Sequence, residues 1–392
     1  MKIRANSKQR YSESGVRRQF RIPSLPVLLV IALLVTPHSS VFAQTHSEPA
    51  FAQDAAKAEA DGDTKKAIDL YEKALAQSPA WTEGWWRYGG LLYQARQFSA
   101  AEKAFGRLTV LAPENSLGFA LLGLCEFEES DWNNAALHLN KALNRGTLPP
   151  EIAHSAAYSL GLSLMQLKNR DGALLTFKLL MHQAPDYPNL TLAMGAAELG
   201  LESIPSPEDV VMPAVQLAGE SARYVVEGKP RDAEKSYKEL LTQFPNQPLA
   251  HLCLGLFLES EHRDDEAQQE FQAETVVSPG NALPWIWIAR VALVQEDSKT
   301  ARSALAHVRE IDPGNPLAFL IEGRSFMIEH QWEQALAPLR EAEKRAPQSS
   351  EVHYALASTY SALHRADAAK MERELFLQAT RADAPAEGNA NQ

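Results

Sequence analysis

Small and apolar residues recur along this chain with a period close to 34. Small residues stand at Ala55, Gly89, Gly123, Gly161, Gly195, Ser221, Gly255, Ala289, Gly323 and Ala357, at steps of 34, 34, 38, 34, 26, 34, 34, 34 and 34. Alanines form a second column at Ala67, Ala101, Ala135, Ala173, Ala233, Ala267, Ala301, Ala335 and Ala369. Tyr71, Phe105, Leu139, Phe177, Tyr237, Phe271, Leu305 and Leu339 form a third, and Pro79, Pro113, Pro185, Pro245, Pro279, Pro313 and Pro347 a fourth. Repeats of this length mean stacked supersecondary units. Each period predicts two helices. Small residues on the first helix let the pair approach closely, the Ala of the second helix receives that contact, and the aromatic or Leu one turn later fills the gap to the next pair. Proline closes the second helix because it cannot continue it.

These columns resemble the tetratricopeptide repeat, a 34-residue helix-turn-helix with W-x2-L-G-x2-Y, then A-x3-F, then P. "WRYGGLLY", Trp86 to Tyr93, with Ala101, Phe105 and Pro113, is the best single match. The resemblance spans residues 48–383 and implies an all-α fold, a right-handed superhelical solenoid of helix-turn-helix repeats. It also implies that the first helices line a concave face and that the partners are other proteins or peptides.

Two irregularities interrupt the period. "GTLPP", Gly146 to Pro150, lengthens one turn by four residues. "ESIPSPEDVVMP", Glu202 to Pro213, stands where a second helix belongs, and its prolines break regular structure. The sequence therefore reads as an N-terminal array of four repeats (48–187), a truncated repeat with a Pro-rich hinge (188–213), a C-terminal array of five repeats (214–383) and a disordered tail (384–392).

Residues 1–43 break the pattern altogether. Lys2, Arg4, Lys8, Arg10, Arg17, Arg18 and Arg21 precede the apolar run "LPVLLVIALLV", and Val41 and Ala43 supply small residues for cleavage. This is the pattern of a signal peptide. The apolar run is short of the roughly 20 residues that cross a membrane. The expectation is an exported protein, periplasmic or secreted, with membrane contact only if the segment stays uncleaved. "RRQF", Arg17 to Phe20, resembles a twin-arginine export signal, but its flanks fit an ordinary basic region better.

The whole sequence has net charge −11, and removal of residues 1–43 leaves 31 Lys+Arg against 48 Asp+Glu, or −17. Phosphate binding needs a basic surface, so nucleic acid is excluded as a general partner. Two cysteines make no disulfide framework, and Cys125 and Cys253 read as small buried hydrophobes. No HExxH, CxxC, Walker or GxSxG motif occurs and the eleven histidines form no metal pattern. The reading is a non-catalytic protein with no cofactor and no metal.

Helical geometry gives the side of each first helix that faces the groove. Residues three before, one after and four after each small residue share a stripe turned away from the partner helix. The stripe holds Trp86 and Tyr93, then Leu124 and Phe127, then Tyr158, Leu162 and Met165. In the C-terminal half it brings Arg290 and Arg324 to equivalent places one repeat apart, about 10 Å, the spacing of packed helices. Such a pair suits a carboxylate or an acidic peptide, unless Glu296 or Glu322 pairs with it locally. An apolar stripe of this size suits partner binding, filling by neighbouring units or filling by the chain's own termini. Of the clustered tryptophans, Trp85 reads as core with Tyr88, Trp81 as the cap of the first pair, and only Trp86 as groove-facing. The predicted function is a scaffold for protein–protein interaction in the cell envelope through an apolar concave groove. The alternative is an accessory protein that binds polysaccharide or lipid along Trp86, Tyr93, Phe127 and Tyr158 during envelope or exopolysaccharide assembly.

Overall fold

A computed structural model describes residues 50–383. The signal-peptide segment 1–43 and the tail 384–392 lie outside the described residues. Within them are 19 α-helices and no strand. Nine first-type helices and the second-type helices that follow them are α1 (Ala52–Ala60) with α2 (Thr64–Gln77), α3 (Thr82–Gln94) with α4 (Phe98–Leu111), α5 (Ser116–Glu128) with α6 (Trp132–Arg145) and α7 (Pro150–Gln166) with α8 (Arg170–Gln183). They continue, after α9 (Leu190–Glu198), with α10 (Met212–Val226) and α11 (Pro230–Gln243), α12 (Ala250–Ser260) and α13 (Asp264–Val277), and α14 (Leu283–Val294) and α15 (Ser298–Ile311). The last are α16 (Pro316–Ile328) with α17 (Trp332–Arg345) and α18 (Ser350–Ala362) with α19 (Ala366–Asp383). Among the described residues the fold is all-α, a helical repeat array.

The local sequence starts and stops these helices. Asp63, Asn115, Asp131, Asn169, Asp297 and Ser349 are N-caps whose side chains accept a backbone N–H of the first turn. Pro150, Pro230 and Pro316 begin helices where the missing N–H is harmless. Within each pair the backbone reverses through one left-handed residue. Arg96, Ser130, Lys168, His262, Glu296, His330 and His364 hold φ between 56° and 64°, and Gly62, Gly200 and Gly228 take the equivalent place. Seven of these ten positions carry a side chain where glycine is easier, so composition alone does not mark them.

The seam inside a pair differs from the sequence expectation. The small residue of the first helix faces the aromatic or Leu of the second helix, sixteen residues on, and not the Ala. A Cβ built on Gly89, Gly161 or Gly255 would lie 2.8, 2.2 or 2.5 Å from the ring of Phe105, Phe177 or Phe271. On Gly123 and Gly323 it would lie 2.7 and 2.5 Å from Leu139 and Leu339. The bare Cα leaves a hollow that a large side chain fills. An Ala methyl is too short to reach it.

The protein divides into two compact units. One holds residues 50–193 with Glu202–Met212, and the other holds Met194–Leu201 with residues 213–383. In the first, Glu202 returns to the end of α7: its carbonyl accepts Gln166 Nε2 at 2.9 Å and its carboxylate pairs with Lys168 at 3.3 Å. In the second, the 26-residue step has a structural cause. Residues 201–211 form no helix, and α10 takes the vacant second-helix place against Gly195, where an added Cβ would meet the Val215 carbonyl and the Gly219 backbone. The same α10 also serves as a first helix for α11, since Ser236 Oγ donates to the Leu217 carbonyl at 3.2 Å.

Candidate functional site

In the second unit the first-type helices α12, α14, α16 and α18 leave a groove of about 550 Å³. Its floor is apolar: Val291, Leu320 and Ile321 are buried there, and Leu293, Met327 and Ile328 are partly exposed around them. Val294, at the end of α14, is 71% exposed in the same groove. A β-branched side chain so open at the mouth of an apolar cavity has little local reason to be there.

Arg290 and Arg324 both line this groove. The Arg290 guanidinium lies over the Trp287 ring, 4.8 Å from its centroid. Arg324 Nη1 is 3.6 Å from a Glu351 carboxylate, and both side chains are more than a third exposed. The local pairings expected from sequence do not form in this way, because Glu322 pairs instead with Arg309 of α15. An ion pair as long and exposed as Arg324–Glu351 contributes about 0–1 kcal/mol, so a ligand carboxylate can displace it. Glu259, Asp264 and Glu351 stand on the rim as the opposing charges.

The N-terminal stripe has a different fate. Tyr93, Leu124, Phe127, Tyr158, Leu162 and Met165 are buried, each at 3–6% exposure. The expectation that they line an open groove is corrected. Tyr93 meets Phe98 edge-on at 5.3 Å and Phe127 meets Trp132 at 5.4 Å, each covered by the ring that begins its own second helix. Tyr158 packs against Tyr187 at 5.0 Å and Phe177 at 6.0 Å. First helices also touch each other directly, α5 with α7. Burial pushes the hydroxyls of Tyr93 and Tyr158 well above the ordinary phenol range. Trp86 is partly exposed, with Phe105 edge-on at 6.2 Å.

Trp85 departs from its expected place in the core, while Trp81 packs on the first pair as expected. Trp85 is half-buried, not core: its indole N–H donates to the Pro79 carbonyl at 2.9 Å, and its ring meets Tyr88 at 6.2 Å. Trp81 lies on Gly84, where a Cβ would fall 2.1 Å from the ring, and against Tyr71 at 6.0 Å.

One constellation escaped the sequence. Glu343, His353 and Glu372 converge from α17, α18 and α19, with one donor atom of each within 4.8 Å of the other two. Their separations of 10 and 19 residues match no short metal motif, and the expectation of no metal site was drawn from motifs alone. Only the three-helix packing brings them together.

Comparison with known proteins agrees with the repeat packing. Residues 58–125 and residues 223–282 each match family models described as tetratricopeptide repeat. Among curated proteins, none matches this sequence. Similar solved structures include the APC/C hetero-tetramer Cut9–Hcn1, at 13% identity over 89% of this protein and 90% of that one, TM-score 0.39. MamA residues 41 to the end, from Desulfovibrio magneticus RS-1, is similar at 20% identity over 45% and 97%, TM-score 0.37. A tetratricopeptide repeat protein from Parabacteroides merdae is similar at 13% identity over 70% and 97%, TM-score 0.33. The two matched segments lie one in each compact unit, and helix pairs in the same phase continue beyond both, so this is a tetratricopeptide-repeat protein.

Proposed function

We propose that this protein is a non-catalytic scaffold that holds a peptide segment of a partner protein in the groove of α12, α14, α16 and α18. Tetratricopeptide repeats generally mediate protein–protein interaction, and a protein-interaction scaffold is the coarse function. The finer reading rests on one observation: an apolar floor of Val291, Leu320 and Ile321 shares one groove with a 71% exposed Val294 and two arginines. Apolar side chains of the peptide fill the floor. An acidic group of the peptide reaches Arg290 or Arg324, with a planar guanidinium matched to a carboxylate. The scaffold's helices are already packed, so ordering falls mainly on the peptide.

A photo-crosslinking residue at position 294, followed by mass spectrometry of the adducts, tests the reading. Crosslinked segments should carry apolar residues beside Asp, Glu or a terminal carboxylate, and Arg324→Ala should weaken their capture. Adducts that carry neither feature, or capture indifferent to Arg290→Ala and Arg324→Ala, refute it.

The glycan or lipid reading loses its aromatic row. It rested on a row of Trp86, Tyr93, Phe127 and Tyr158, and three of the four are buried against other side chains. The cell envelope as the place of action belongs to the same proposal; its support is the basic and apolar pattern of residues 1–43. No described helix is long and apolar enough to cross a membrane. Fractionation of cells that express the full-length protein tests the location, and recovery in the cytoplasm with residues 1–43 intact would count against it.

A further inference from the structure

We propose that Glu343, His353 and Glu372 form a binding site for a divalent transition cation of the zinc type, at the last helix pair of the array. The donor set is one imidazole and two carboxylates, the hard and borderline ligands that zinc accepts. His353 and Glu372 are each 3% exposed, and their nearest atoms, Nδ1 and Oε2, are 2.8 Å apart. The other imidazole nitrogen, Nε2, stands 3.0 Å from the Pro347 carbonyl. A carbonyl only accepts, so Nε2 carries the proton and donates. That leaves Nδ1 to face the carboxylates, either with its lone pair or with a second proton. A ring whose far nitrogen donates to a backbone carbonyl is the usual arrangement of a metal-ligating histidine.

The array contains its own comparison. His251 and Glu270 occupy the same register in an earlier repeat, also 19 residues apart, with Nδ1 and Oε2 2.7 Å apart. That pair is 20% and 25% exposed, and Leu241 stands ten residues before the histidine, where Glu343 stands before His353. A two-helix His–Glu bridge therefore needs no third acid. Adding Glu343 beside a buried Glu372 sets like charge against like charge. Arg340 is the nearby cation, but its Nε and Nη2 both donate to the Tyr360 hydroxyl, at 3.0 and 2.8 Å. A divalent ion at the centre offsets both carboxylates. In a tetrahedral zinc site, ligand atoms about 2 Å from the ion lie roughly 3.3 Å from one another. The three donors reach that spacing by side-chain movements of about an ångström or so, leaving a fourth position for water.

The test uses the full-length protein, stripped with a chelator and titrated with Zn²⁺ by calorimetry, with Co²⁺ absorption to report coordination number and ligand type. One equivalent should bind, with a four-coordinate nitrogen and oxygen spectrum and a rise in the unfolding temperature. Glu343→Leu reproduces the arrangement at His251 and should keep the helical circular dichroism while weakening binding by about 100-fold or more, as loss of a ligand does. Glu343→Gln should do the same by charge alone, and His251→Gln should bind as the unaltered protein does. No binding by the unaltered protein overturns the proposal. So does binding that survives both Glu343→Leu and His353→Gln, since the ion would then sit on unrelated carboxylates.

Discussion

Gly161→Ala tests whether the glycine column sets the distance between the helices of a pair. The added methyl would lie 2.2 Å from Cε1 of Phe177 and 2.5 Å from its Cζ. Carbon atoms in contact keep about 3.5–4.0 Å, so the ring or the helix must shift by more than an ångström. Phe177 is fully buried and has no free space to enter. Two effects oppose each other. Ala in place of Gly inside a helix gains about 0.5–1 kcal/mol, and overpacking a full core costs about 1–3 kcal/mol. The expected net loss is about 1–2 kcal/mol. Gly106 supplies the control, because it sits inside α4 with nothing within 4 Å of an added Cβ. Gly106→Ala should therefore show only the gain of about 0.5–1 kcal/mol. Urea unfolding followed by far-UV circular dichroism reads both. Opposite signs support the reasoning. If Gly161→Ala stabilises as much as Gly106→Ala, the ring-on-glycine contact does not set the spacing of α7 and α8. Ala289 and Leu305 hold the same register with an alanine and a leucine, so Phe177→Leu should cost less on the Gly161→Ala background than alone, with a coupling of at least about 0.5 kcal/mol.

Three further outcomes follow from particular contacts. His364 is exposed with φ 57°, so His364→Gly should stabilise by about 1 kcal/mol through relief of left-handed strain, read as a shift in the urea midpoint; a loss would show that the imidazole has a structural role. Glu274 is fully buried and accepts Leu249 N at 2.8 Å at the start of α12, as well as the Ser278 hydroxyl, so Glu274→Gln should cost about 1–3 kcal/mol and Glu239→Gln, on an exposed face, almost nothing. The Glu234 carboxyl is held down at about 2, first by hydrogen bonds from Arg263 and then from Lys238. Its contribution to stability is present above the unfolded carboxylate range, near 4.3, and is lost as pH falls from there through about 2. NMR titration should show Glu234 moving up toward the ordinary range in Arg263→Gln, and an unmoved titration would remove Arg263 as the cause.

The repeat was legible because its columns are chemical necessities of one packed seam. A glycine under a ring, an alanine beside it and a proline after the second helix each exclude most other residues, so period and helix pairing could be read along the sequence. Even so, the sequence paired Gly89 with Ala101, and the structure pairs it with Phe105. Spacing tells which residues share a seam and not which side chain is long enough to cross it. The left-handed turn residues were illegible for a related reason: Arg96, Lys168 and His330 tolerate a strained φ that their neighbours enforce.

The candidate site divides in the same way. That residues such as Phe127, Tyr158, Arg290 and Arg324 lie on one side of the first helices follows from helical period alone. Whether that side is open does not. Phe98 and Trp132 begin the second helices over Tyr93 and Phe127, whereas nothing comparable among the described residues covers Val294, and only the packed structure separates the filled stripe from the open groove. Glu343, His353 and Glu372 were invisible for the same cause, being three ordinary polar residues on three helices. The sequence by itself determined the period, the all-α architecture and which face each residue occupies, because those depend on neighbours within a few helical turns. The tertiary structure decided what is buried, what is open and which distant polar groups meet, because those depend on how neighbouring helices pack against each face.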